Sequence, residues 1–402
     1  MKNSYYDGID IIEDELRQPT LFKDESKLSI DYVPSYLPHR ENELRLLARM
    51  FSDVLSQPGK LSQKVIITGS IGTGKTAIAK LFGEHFTNYG KKRNINLHYI
   101  HINCRVIRTD YMILKTIVKH FIPGLPDRGL SPDELFEMLL FTLENNDAYL
   151  LITLDEVDFA IKKSGVDLIY RLTRVGDSKL NPIQRISLIF ILRETMFSQF
   201  LDLSTLSSLQ RNLIHLKKYT AEQLYDIISL RVKEAFFDGV VTENAIRLTA
   251  DLAAEWGDAR YALELIWRAG KYAEFKRSSV VDVSHIRQAQ SELHPFVSRE
   301  VLFSLSRHHL LLLISIARAS RGEQQLYVPF KKIKQIYLTL CEEYGLLARK
   351  NTQLWEYLKD LELNGIIALR TTQKGKRGRS TLVSLENIPS DILEREVTNI
   401  LK

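Results

Sequence analysis

The amino-acid sequence predicts an α/β domain with a parallel sheet, followed by an all-helical domain and a winged helix-turn-helix domain. Three observations predict this order. Residues 62–215 alternate short apolar runs with helical patterns, as strands do when helices cover both faces of a parallel sheet. Residues 219–291 place apolar side chains at helical spacing only. Residues 296–402 contain helical patterns followed by two strand-like runs around a polar tip.

Composition narrows the class of protein before any motif is considered. The chain of 402 residues exceeds the size of one typical core and predicts two or three domains. Its net charge of +6 permits contact with nucleic acid. Two distant cysteines, Cys104 and Cys341, give neither a disulfide framework nor zinc-ligand spacing. Because the longest apolar run, 310–314, cannot cross a bilayer and the acidic N-terminus is no targeting signal, we expect a cytoplasmic protein with no membrane partner.

Four apolar runs are expected to form the strands of the sheet. Each has the length of a strand and is bounded by turn residues or by a helical pattern. The predicted strands are Val65–Ile67, Leu97–Ile102, Tyr149–Leu154 and Ser187–Leu192. The first of them leads directly into a glycine-rich loop.

That loop, GSIGTGKT at 69–76, matches the phosphate-binding pattern G-x-x-x-x-G-K-[ST], the P-loop. Its glycines let backbone N–H groups point at phosphate oxygens, and the start of the next helix reinforces them. Lys75 is expected to reach the β and γ phosphates, and Thr76 to offer its hydroxyl to Mg²⁺. The alternative is a glycine-rich turn without a ligand. The predicted nucleotide-binding residues here are Gly69, Ser70, Gly72, Thr73, Gly74, Lys75, Thr76 and Ala77.

The third predicted strand ends in two carboxylates, Asp155 and Glu156. This is the Walker B arrangement of P-loop ATPases, in which the first carboxylate lies near the metal and the second orients the attacking water. The alternative is that both residues only begin a turn. With the P-loop, the pair predicts a site for ATP or ADP and Mg²⁺, in which Lys75, Asp155 and Glu156 are catalytic and Thr76 and Asp155 are metal ligands.

The C-terminal block carries the features of a surface that binds duplex DNA. A helical pattern begins at Asn351 and buries its leucines, which leaves Thr352, Glu356 and Lys359 outward. The candidate contacts of this helix with DNA are Thr352, Gln353 and Lys359. The tip between the two strand-like runs, 371–380, is basic and contains glycine, like a wing that enters a minor groove. The alternative is a solvated loop whose charges serve solubility. The candidate DNA contacts of the tip are Lys374, Lys376, Arg377 and Arg379.

The order of these motifs resembles that of the archaeal initiators related to the origin recognition complex, a branch of the AAA+ ATPases. The resemblance runs essentially end to end. Residues 32–43 are similar to the family's N-terminal box beside the adenine, and residues 219–231 to the opening helix of its lid. The segment Gly257-Asp258-Ala259-Arg260 opens a further lid helix. The implied fold is a P-loop AAA+ domain with a parallel sheet, an all-helical lid and a terminal winged helix.

The resemblance implies roles for individual residues of the lid and the N-terminal box. Arg40, Tyr219 and Arg231 would bind the nucleotide. Arg260 would be the sensor-2 arginine, which reaches from the lid toward the γ phosphate and ties the lid angle to phosphate charge. The alternative for Arg260 is an ordinary surface ion pair.

Residues 103–112 resemble the family's initiator-specific motif, a helical element that approaches DNA. This makes Arg105, Arg108 and Tyr111 candidate DNA contacts. The alternative, an ordinary connection followed by an amphipathic helix, explains the same segment equally well.

Two positions depart from the family's pattern. Arg193 follows the fourth strand, where the family usually has an asparagine that positions the lytic water. Ser204 stands where the family tends to carry an arginine finger for a neighbour's ATP. Because such a finger accelerates hydrolysis by orders of magnitude, we expect at most a slow ATPase.

We expect a flexible N-terminal segment at 1–20, the AAA+ domain at 21–217, the lid at 218–293 and the winged-helix domain at 294–402. The predicted function is an ATP-binding DNA replication initiator that recognises origin DNA through the winged helix and AAA+ elements, with slow hydrolysis as a switch. Two alternatives stay open: a nucleotide-dependent transcriptional or replication regulator, such as a repressor-like paralogue, and a motor-type AAA+ enzyme. The resemblance implies double-stranded origin DNA, related initiator paralogues and a replicative helicase as candidate partners, in a nucleoid-associated location.

Overall fold

The computed structural model describes residues 12–13, 16–175, 183–193, 212–293, 302, 305–321, 327–371, 381–385 and 390–401. The chain divides into two compact units, one of residues 1–289 and one of residues 290–402. Each unit has a hydrophobic core of its own. None of the helices in the described ranges combines the length and the apolar character needed to cross a membrane.

The first unit contains a five-stranded sheet. Its strands are β1 (Lys64–Gly69), β2 (Leu97–Asn103), β3 (Tyr149–Asp155), β4 (Ile186–Arg193) and β5 (Leu213–Leu216). They lie in the order β2-β3-β4-β1-β5, and every neighbouring pair is parallel. The predicted parallel sheet is thus confirmed. Because all five strands run the same way, the loops after them meet at one edge of the sheet.

Helices cover both faces of this sheet. They are α1 (Glu41–Met50), α2 (Ser52–Ser56), α3 (Lys75–Lys92), α4 (Asp110–Phe121), α5 (Pro132–Asn145), α6 (Asp158–Ser164) and α7 (Asp167–Thr173). Successive residues of β1 enter opposite cores: Ile66 packs in one buried cluster with Leu114 of α4, whereas Ile67 packs in another with Phe82 of α3. Burial on both faces explains why the inner strands β1, β3 and β4 are nearly continuous apolar runs without alternation.

The edge strand β5 is not among the four strands that the apolar runs predict. It has four residues, of which Ile214 and Leu216 are buried while Leu213 and His215 are exposed. So short an alternating run does not stand out from a loop in the sequence. Its parallel pairing with β1, Ile66 with Leu213 onward, defines it as a strand.

The lid contains α8 (Ala221–Ala235), α9 (Glu243–Ala254), α10 (Ala259–Phe275) and α11 (Val283–Glu292). A segment from near the N-terminus packs on these helices. The Phe22 ring lies 4.4 Å from that of Phe236, and the Trp267 ring N–H donates to Glu25 at 3.0 Å. The beginning of the segment that the sequence assigns to the AAA+ domain therefore packs on the lid.

The second unit contains α12 (Arg307–Ser320), β6 (Val328–Pro329), α13 (Phe330–Glu343), α14 (Asn351–Leu363), β7 (Ile367–Thr371), β8 (Thr381–Leu385) and α15 (Ser390–Leu401). Its antiparallel sheet has the order β6-β8-β7. The predicted winged helix is confirmed, including the helix that begins at Asn351 and the strand that begins at Thr381. The structure adds β6 and α15, which the sequence patterns do not predict.

Candidate nucleotide site and nucleic-acid interface

The P-loop turns the chain from β1 into α3 through two glycines in the left-handed region. Gly72 has φ +71° and Gly74, the N-cap of α3, has φ +89°. A side chain at either position would also collide with its surroundings. A Cβ on Gly72 would lie 1.7 Å from Asp258 Oδ1, and one on Gly74 would lie 2.9 Å from Tyr219 Oη. Both neighbours belong to the part of the chain assigned to the lid, so these glycines allow the lid to approach the loop.

The ammonium group of Lys75 is hydrogen-bonded to the backbone of the P-loop. Its Nζ donates to the carbonyl oxygen of Gly69 at 2.8 Å and to that of Ser70 at 2.6 Å. Thr73, which is fully buried, closes the same turn by donating from Oγ1 to the Ser70 carbonyl at 2.9 Å. The ammonium group is thus fixed beside the backbone N–H groups that face a phosphate in this motif.

A partly buried polar cluster lies near the ends of β2 and β3. Thr76 Oγ1 donates to Asp155 Oδ2 at 2.6 Å, and His101 Nε2 lies 3.2 Å from the same oxygen. Asp155 is 2% exposed. Burial by itself would raise the pKa of this carboxyl, but the hydrogen bonds from His101 and Thr76 outweigh it and hold the pKa below the ordinary value. Asp155 is therefore a carboxylate despite its burial.

This cluster fits a hard divalent cation. The hydroxyl of Thr76 and the ionised carboxylate of Asp155 are oxygen donors of the kind that Mg²⁺ selects. No group of three or more acidic, histidine or cysteine side chains that could hold a metal occurs among the described residues. A Mg²⁺ ion held by Thr76 and Asp155 would therefore need waters and phosphate oxygens as its other ligands, which is its usual manner of binding.

Glu156 has a left-handed backbone, with φ +51°. Glutamate rarely adopts this conformation, which turns the chain sharply at the end of β3. The Glu156 carbonyl accepts from the N–H of Phe159 at 3.0 Å, and the next residue, Val157, donates to Ile191 of β4 at 3.1 Å. The neighbouring strand and helix thus maintain a strained residue beside Asp155, as is common at functional sites.

A cavity of about 470 Å³ joins these elements. One part of its wall is apolar and comes from the N-terminal segment and the lid: Ile30, Tyr32, Val33, Pro34, Leu37, Ile227, Leu230 and Leu263. The predicted nucleotide-site residues that line it are Gly72, Gly74, Thr76, Ala77, Asp155, Glu156, Tyr219, Arg231 and Arg260. Gly69, Ser70, Thr73 and Lys75 complete the same loop. An apolar wall next to a phosphate-binding loop matches the two halves of a nucleotide.

Arg40 lies behind the P-loop and is not among the residues that line the cavity. It is 3% exposed, and its guanidinium donates from Nε and Nη2 to the carbonyl of Thr73 at 3.1 and 3.0 Å. Nη2 also donates to the carbonyl of Lys217 at 2.8 Å, and the group stacks on the Tyr219 ring at 3.9 Å. Arg40 therefore ties the loop to the start of the lid.

The lid meets the P-loop directly through the first turn of α10. The N–H of Ala259 donates to the carbonyl of Gly72 at 3.1 Å. Asp258 caps the helix by accepting from the N–H groups of Arg260 and Tyr261 at 2.8 and 3.3 Å. Arg260, in the first turn of this helix, lines the cavity.

Arg231 of α8 is a buried cation in the cavity wall. It is 4% exposed, its guanidinium lies 4.6 Å from the Tyr32 ring centre, and Nη2 donates to the Tyr32 carbonyl at 3.3 Å. Its Nη1 has no hydrogen-bond partner among the described residues. Burial lowers the pKa of this arginine. A buried donor without a partner is costly.

Four polar residues that line the cavity are not among the predicted site residues: Asp31, Lys80, His101 and Asn103. His101 and Asn103 lie two residues apart at the carboxyl end of β2, and Asn103 pairs in register with Asp155. A signal for them exists in the sequence: they are polar residues that follow one another at alternate positions where the predicted strand ends. Only the order of the strands shows that this strand neighbours β3.

The three candidate DNA contacts after β2, Arg105, Arg108 and Tyr111, have different surroundings. Arg108 is exposed. Tyr111 Oη donates to the carbonyl of Asp127 at 3.0 Å, so its hydroxyl already has an internal partner. Arg105 is exposed but lines the nucleotide cavity.

In the second unit, α14 buries Leu354, Leu358 and Leu361 and exposes the candidate contacts Thr352, Gln353 and Lys359. The basic residues of the wing tip, Lys374, Lys376, Arg377 and Arg379, lie outside the described residues, as does Ser204. Arg193 is the last residue of β4 and pairs in register with Gly69 of β1. Its side chain is not among the parts of the chain that the structure describes.

Two segments of the chain match family models, and whole-length relatives exist. Residues 225–291 match the Cdc6 AAA+ ATPase-type lid domain, and residues 300–395 match the CDC6 C-terminal winged helix domain. An ORC1-type DNA replication protein 2 from Sulfurisphaera tokodaii is 36% identical over 98% of this chain and 96% of the relative. A solved structure of the Aeropyrum pernix ORC1 protein in complex with DNA is 32% identical, with a TM-score of 0.69 over 94% of this chain and 96% of that chain. The Aeropyrum pernix ORC2 protein, solved as ADPNP–ADP complexes, is 26% identical, with a TM-score of 0.65 over 95% of this chain and 98% of that chain.

Proposed function

The chain belongs to the family of ORC1-type DNA replication proteins, and on this premise we propose that it is an ATP-binding replication initiator. It recognises duplex origin DNA, and the nucleotide under its lid sets the geometry of that binding. The names of the relatives favour replication over the alternative of a transcriptional regulator. In this proposal the chain acts on DNA in the cytoplasm, with related initiators and a replicative helicase as candidate partners.

The proposed nucleotide switch rests on one observation: the P-loop and the lid contact each other at the wall of the nucleotide cavity. Ala259 is hydrogen-bonded to Gly72, and Tyr219 lies against Gly74. An occupant held by the P-loop therefore contacts the lid as well, including Arg260. A change in the number of phosphates changes charge at the point where the two parts meet, which biases the angle of the lid.

Different residues of the nucleotide site have different roles in slow hydrolysis. Lys75 and Arg260 neutralise charge on the phosphates, and Glu156 orients the attacking water. Thr76 and Asp155 would hold Mg²⁺, which supplies neutralisation of the phosphate oxygens when it is bound. The departures at Arg193 and Ser204 support a slow rate, because both replace groups that accelerate turnover in the family. Slow turnover suits a switch, which keeps its state between events.

Exposed groups in both units support DNA binding. Arg108 follows β2 in the first unit, and Thr352, Gln353 and Lys359 lie on the outer face of α14 in the second. Contacts between arginine or lysine and phosphates release counterions, so the affinity for DNA is expected to fall steeply with salt. Contacts from two elements on one chain would also favour a bent duplex.

The test is footprinting on genomic DNA with ATP, with ADP and with the Lys75→Ala variant. We expect protection at replication origins whose extent differs between ATP and ADP, and we expect Lys75→Ala to lose the difference. Lys91→Ala, which removes an exposed lysine from the last turn of the same helix, should behave like the unaltered protein. Protection confined to promoters away from origins would overturn the proposal, and identical footprints with both nucleotides would overturn the switch.

A further inference from the structure

Arg105 is an exposed arginine that lines the nucleotide cavity together with Asp155, Glu156 and Arg260. Its guanidinium lies 5.6 Å from the centre of the Phe159 ring. Within the described part of the chain, no carboxylate forms an ion pair with it. A cation of this kind at a cavity wall is available to an anionic occupant.

The backbone fixes Arg105 relative to the carboxylate pair. The N–H of Cys104 donates to the carbonyl of Asp155 at 2.8 Å, and the N–H of Arg105 donates to Asn103 Oδ1 at 2.8 Å. Asn103 in turn pairs in register with Asp155. Because these bonds tie the turn after β2 to the end of β3, Arg105 is held at a set distance from Asp155 and its neighbour Glu156.

The strand order decides which end of a nucleotide Arg105 meets. The P-loop follows β1, and β2 lies on the far side of β3 from it in the order β2-β3-β4-β1. Asp155 and Glu156, at the end of β3, thus stand between the loop and Arg105. The phosphate that Glu156 serves is the terminal one, because that is where water attacks.

We propose that Arg105 binds the terminal phosphate of a nucleoside triphosphate in this cavity and so sets the preference for triphosphate over diphosphate. The proposal rests on the proposed function of the cavity as a nucleotide site. A guanidinium can donate two parallel hydrogen bonds to phosphate oxygens, which gives it more discrimination than a point charge. It also separates Arg105 from the DNA surface to which the sequence resemblance assigns it.

Arg108 provides a matched control. It belongs to the same turn, donates from Nε to the Arg105 carbonyl at 2.7 Å, and has its guanidinium 5.8 Å from the same Phe159 ring. It does not line the cavity. Loss of either side chain removes one exposed arginine from beside Phe159, but of the two only Arg105 lines the cavity.

The experiment is a titration of ATP and of ADP, by calorimetry, against the full-length protein and its Arg105→Ala, Arg105→Lys, Arg108→Ala and Lys75→Ala variants. We expect Arg105→Ala to weaken ATP binding about tenfold or more, as loss of a charge-assisted hydrogen bond does, with ADP binding unchanged. Arg105→Lys should retain part of the preference, and Arg108→Ala should match the unaltered protein for both nucleotides.

Three outcomes would overturn the inference: unchanged ATP affinity in Arg105→Ala, equal losses for ATP and ADP, or the same loss in Arg108→Ala. Loss of nucleotide-free DNA binding in Arg105→Ala with intact ATP affinity would assign the residue to the DNA surface. The proposed function fails separately, when the unaltered protein binds neither nucleotide or when Lys75→Ala binds both as well as the unaltered protein does.

Discussion

Gly72 is the residue at which the P-loop contacts the first turn of the lid helix α10. It has a left-handed backbone, its carbonyl accepts from Ala259 in the first turn of α10, and it leaves no room for a Cβ beside Asp258. The atoms that a side chain would meet include the Asp258 Cα at 2.9 Å, so a rotation of the Asp258 side chain cannot relieve the collision. Small size at this position is a requirement of the junction as well as of the phosphate site.

We therefore expect Gly72→Ala to destabilise the protein by about 1–3 kcal/mol, through backbone strain and displacement of the lid. It should also weaken ATP binding, because the loop and the lid can no longer enclose the same occupant. Thermal denaturation without nucleotide and an ATP titration measure the two effects. Gly124→Ala is the control, since a Cβ at Gly124 meets nothing within 4 Å and its φ is not left-handed. Equal melting temperatures for the two variants would contradict the expectation.

Arg40 uses its guanidinium to donate hydrogen bonds to backbone carbonyls of two separate segments. Its guanidinium satisfies Thr73 and Lys217 and stacks on Tyr219, all without reaching the cavity wall. We expect Arg40→Ala to lower the free energy of unfolding by about 2 kcal/mol in the absence of nucleotide, because buried carbonyls lose their donors. Chemical denaturation checks this, with Arg45→Ala on the exposed face of α1 as the control. A loss seen only when nucleotide is present would instead make Arg40 a ligand contact.

At the scale of elements, helix α10 couples the capping of its own N-terminus to the nucleotide cavity. Asp258 is 2% exposed, and its carboxylate accepts from the first N–H groups of the helix while lying against Gly72. Burial raises the pKa of this carboxyl, although those two hydrogen bonds oppose the shift. The residue that caps α10 therefore carries a charge that its surroundings disfavour.

The sign of the pH effect follows from that raised pKa. The folded protein binds the Asp258 proton more tightly than the unfolded chain does, so this residue favours folding most below the ordinary pKa of 3.8. That contribution is lost as the pH rises from 3.8 through the pKa of the folded state. Asp258→Asn keeps an oxygen acceptor for the cap and has no charge to bury.

We expect the stability of Asp258→Asn, relative to the unaltered protein, to increase across this interval and to stay constant above it. Denaturation curves at a series of pH values measure the difference in the free energy of unfolding. Asp251→Asn, on an exposed position of α9, should show no such trend. A difference that is the same at every pH would mean that the cap, and not the buried charge, decides the effect.

At the scale of the whole molecule, the chain consists of two units with separate cores. The cavity belongs entirely to the first unit, since its lining residues run from Ile30 to Leu263. A ligand that binds only the folded state of one unit stabilises that unit by an amount set by its concentration and affinity.

ATP is therefore expected to raise the melting temperature of the first unit and to leave that of the second unit unchanged. At a hundred times its dissociation constant, the ligand contributes about 2.7 kcal/mol. Differential scanning calorimetry resolves the two transitions, and Lys75→Ala removes the shift if the P-loop holds the ligand. An equal upward shift of both transitions would show that the units unfold as one.

Much of this protein can be derived from its sequence because the relevant signals are local. The P-loop, the apolar strand that ends in Asp155 and Glu156, and the helix of Leu354, Leu358 and Leu361 each depend on residues that are close together in the chain. Turn chemistry and periodicity determine such features without reference to distant contacts. The parallel sheet, the helical lid and the winged helix follow from the order of these local signals.

Other features depend on which strands become neighbours, and only the tertiary structure decides that. Pairing of β2 with β3 brings His101 within hydrogen-bond distance of Asp155. The same pairing brings Arg105, which the local resemblance makes a candidate DNA contact, to the cavity wall. The Arg40 guanidinium donates to the Thr73 carbonyl and does not line the cavity, and pairing with β1 makes a strand of β5. These contacts join residues that are tens to hundreds of positions apart, and no local pattern records the partner of a side chain at that separation.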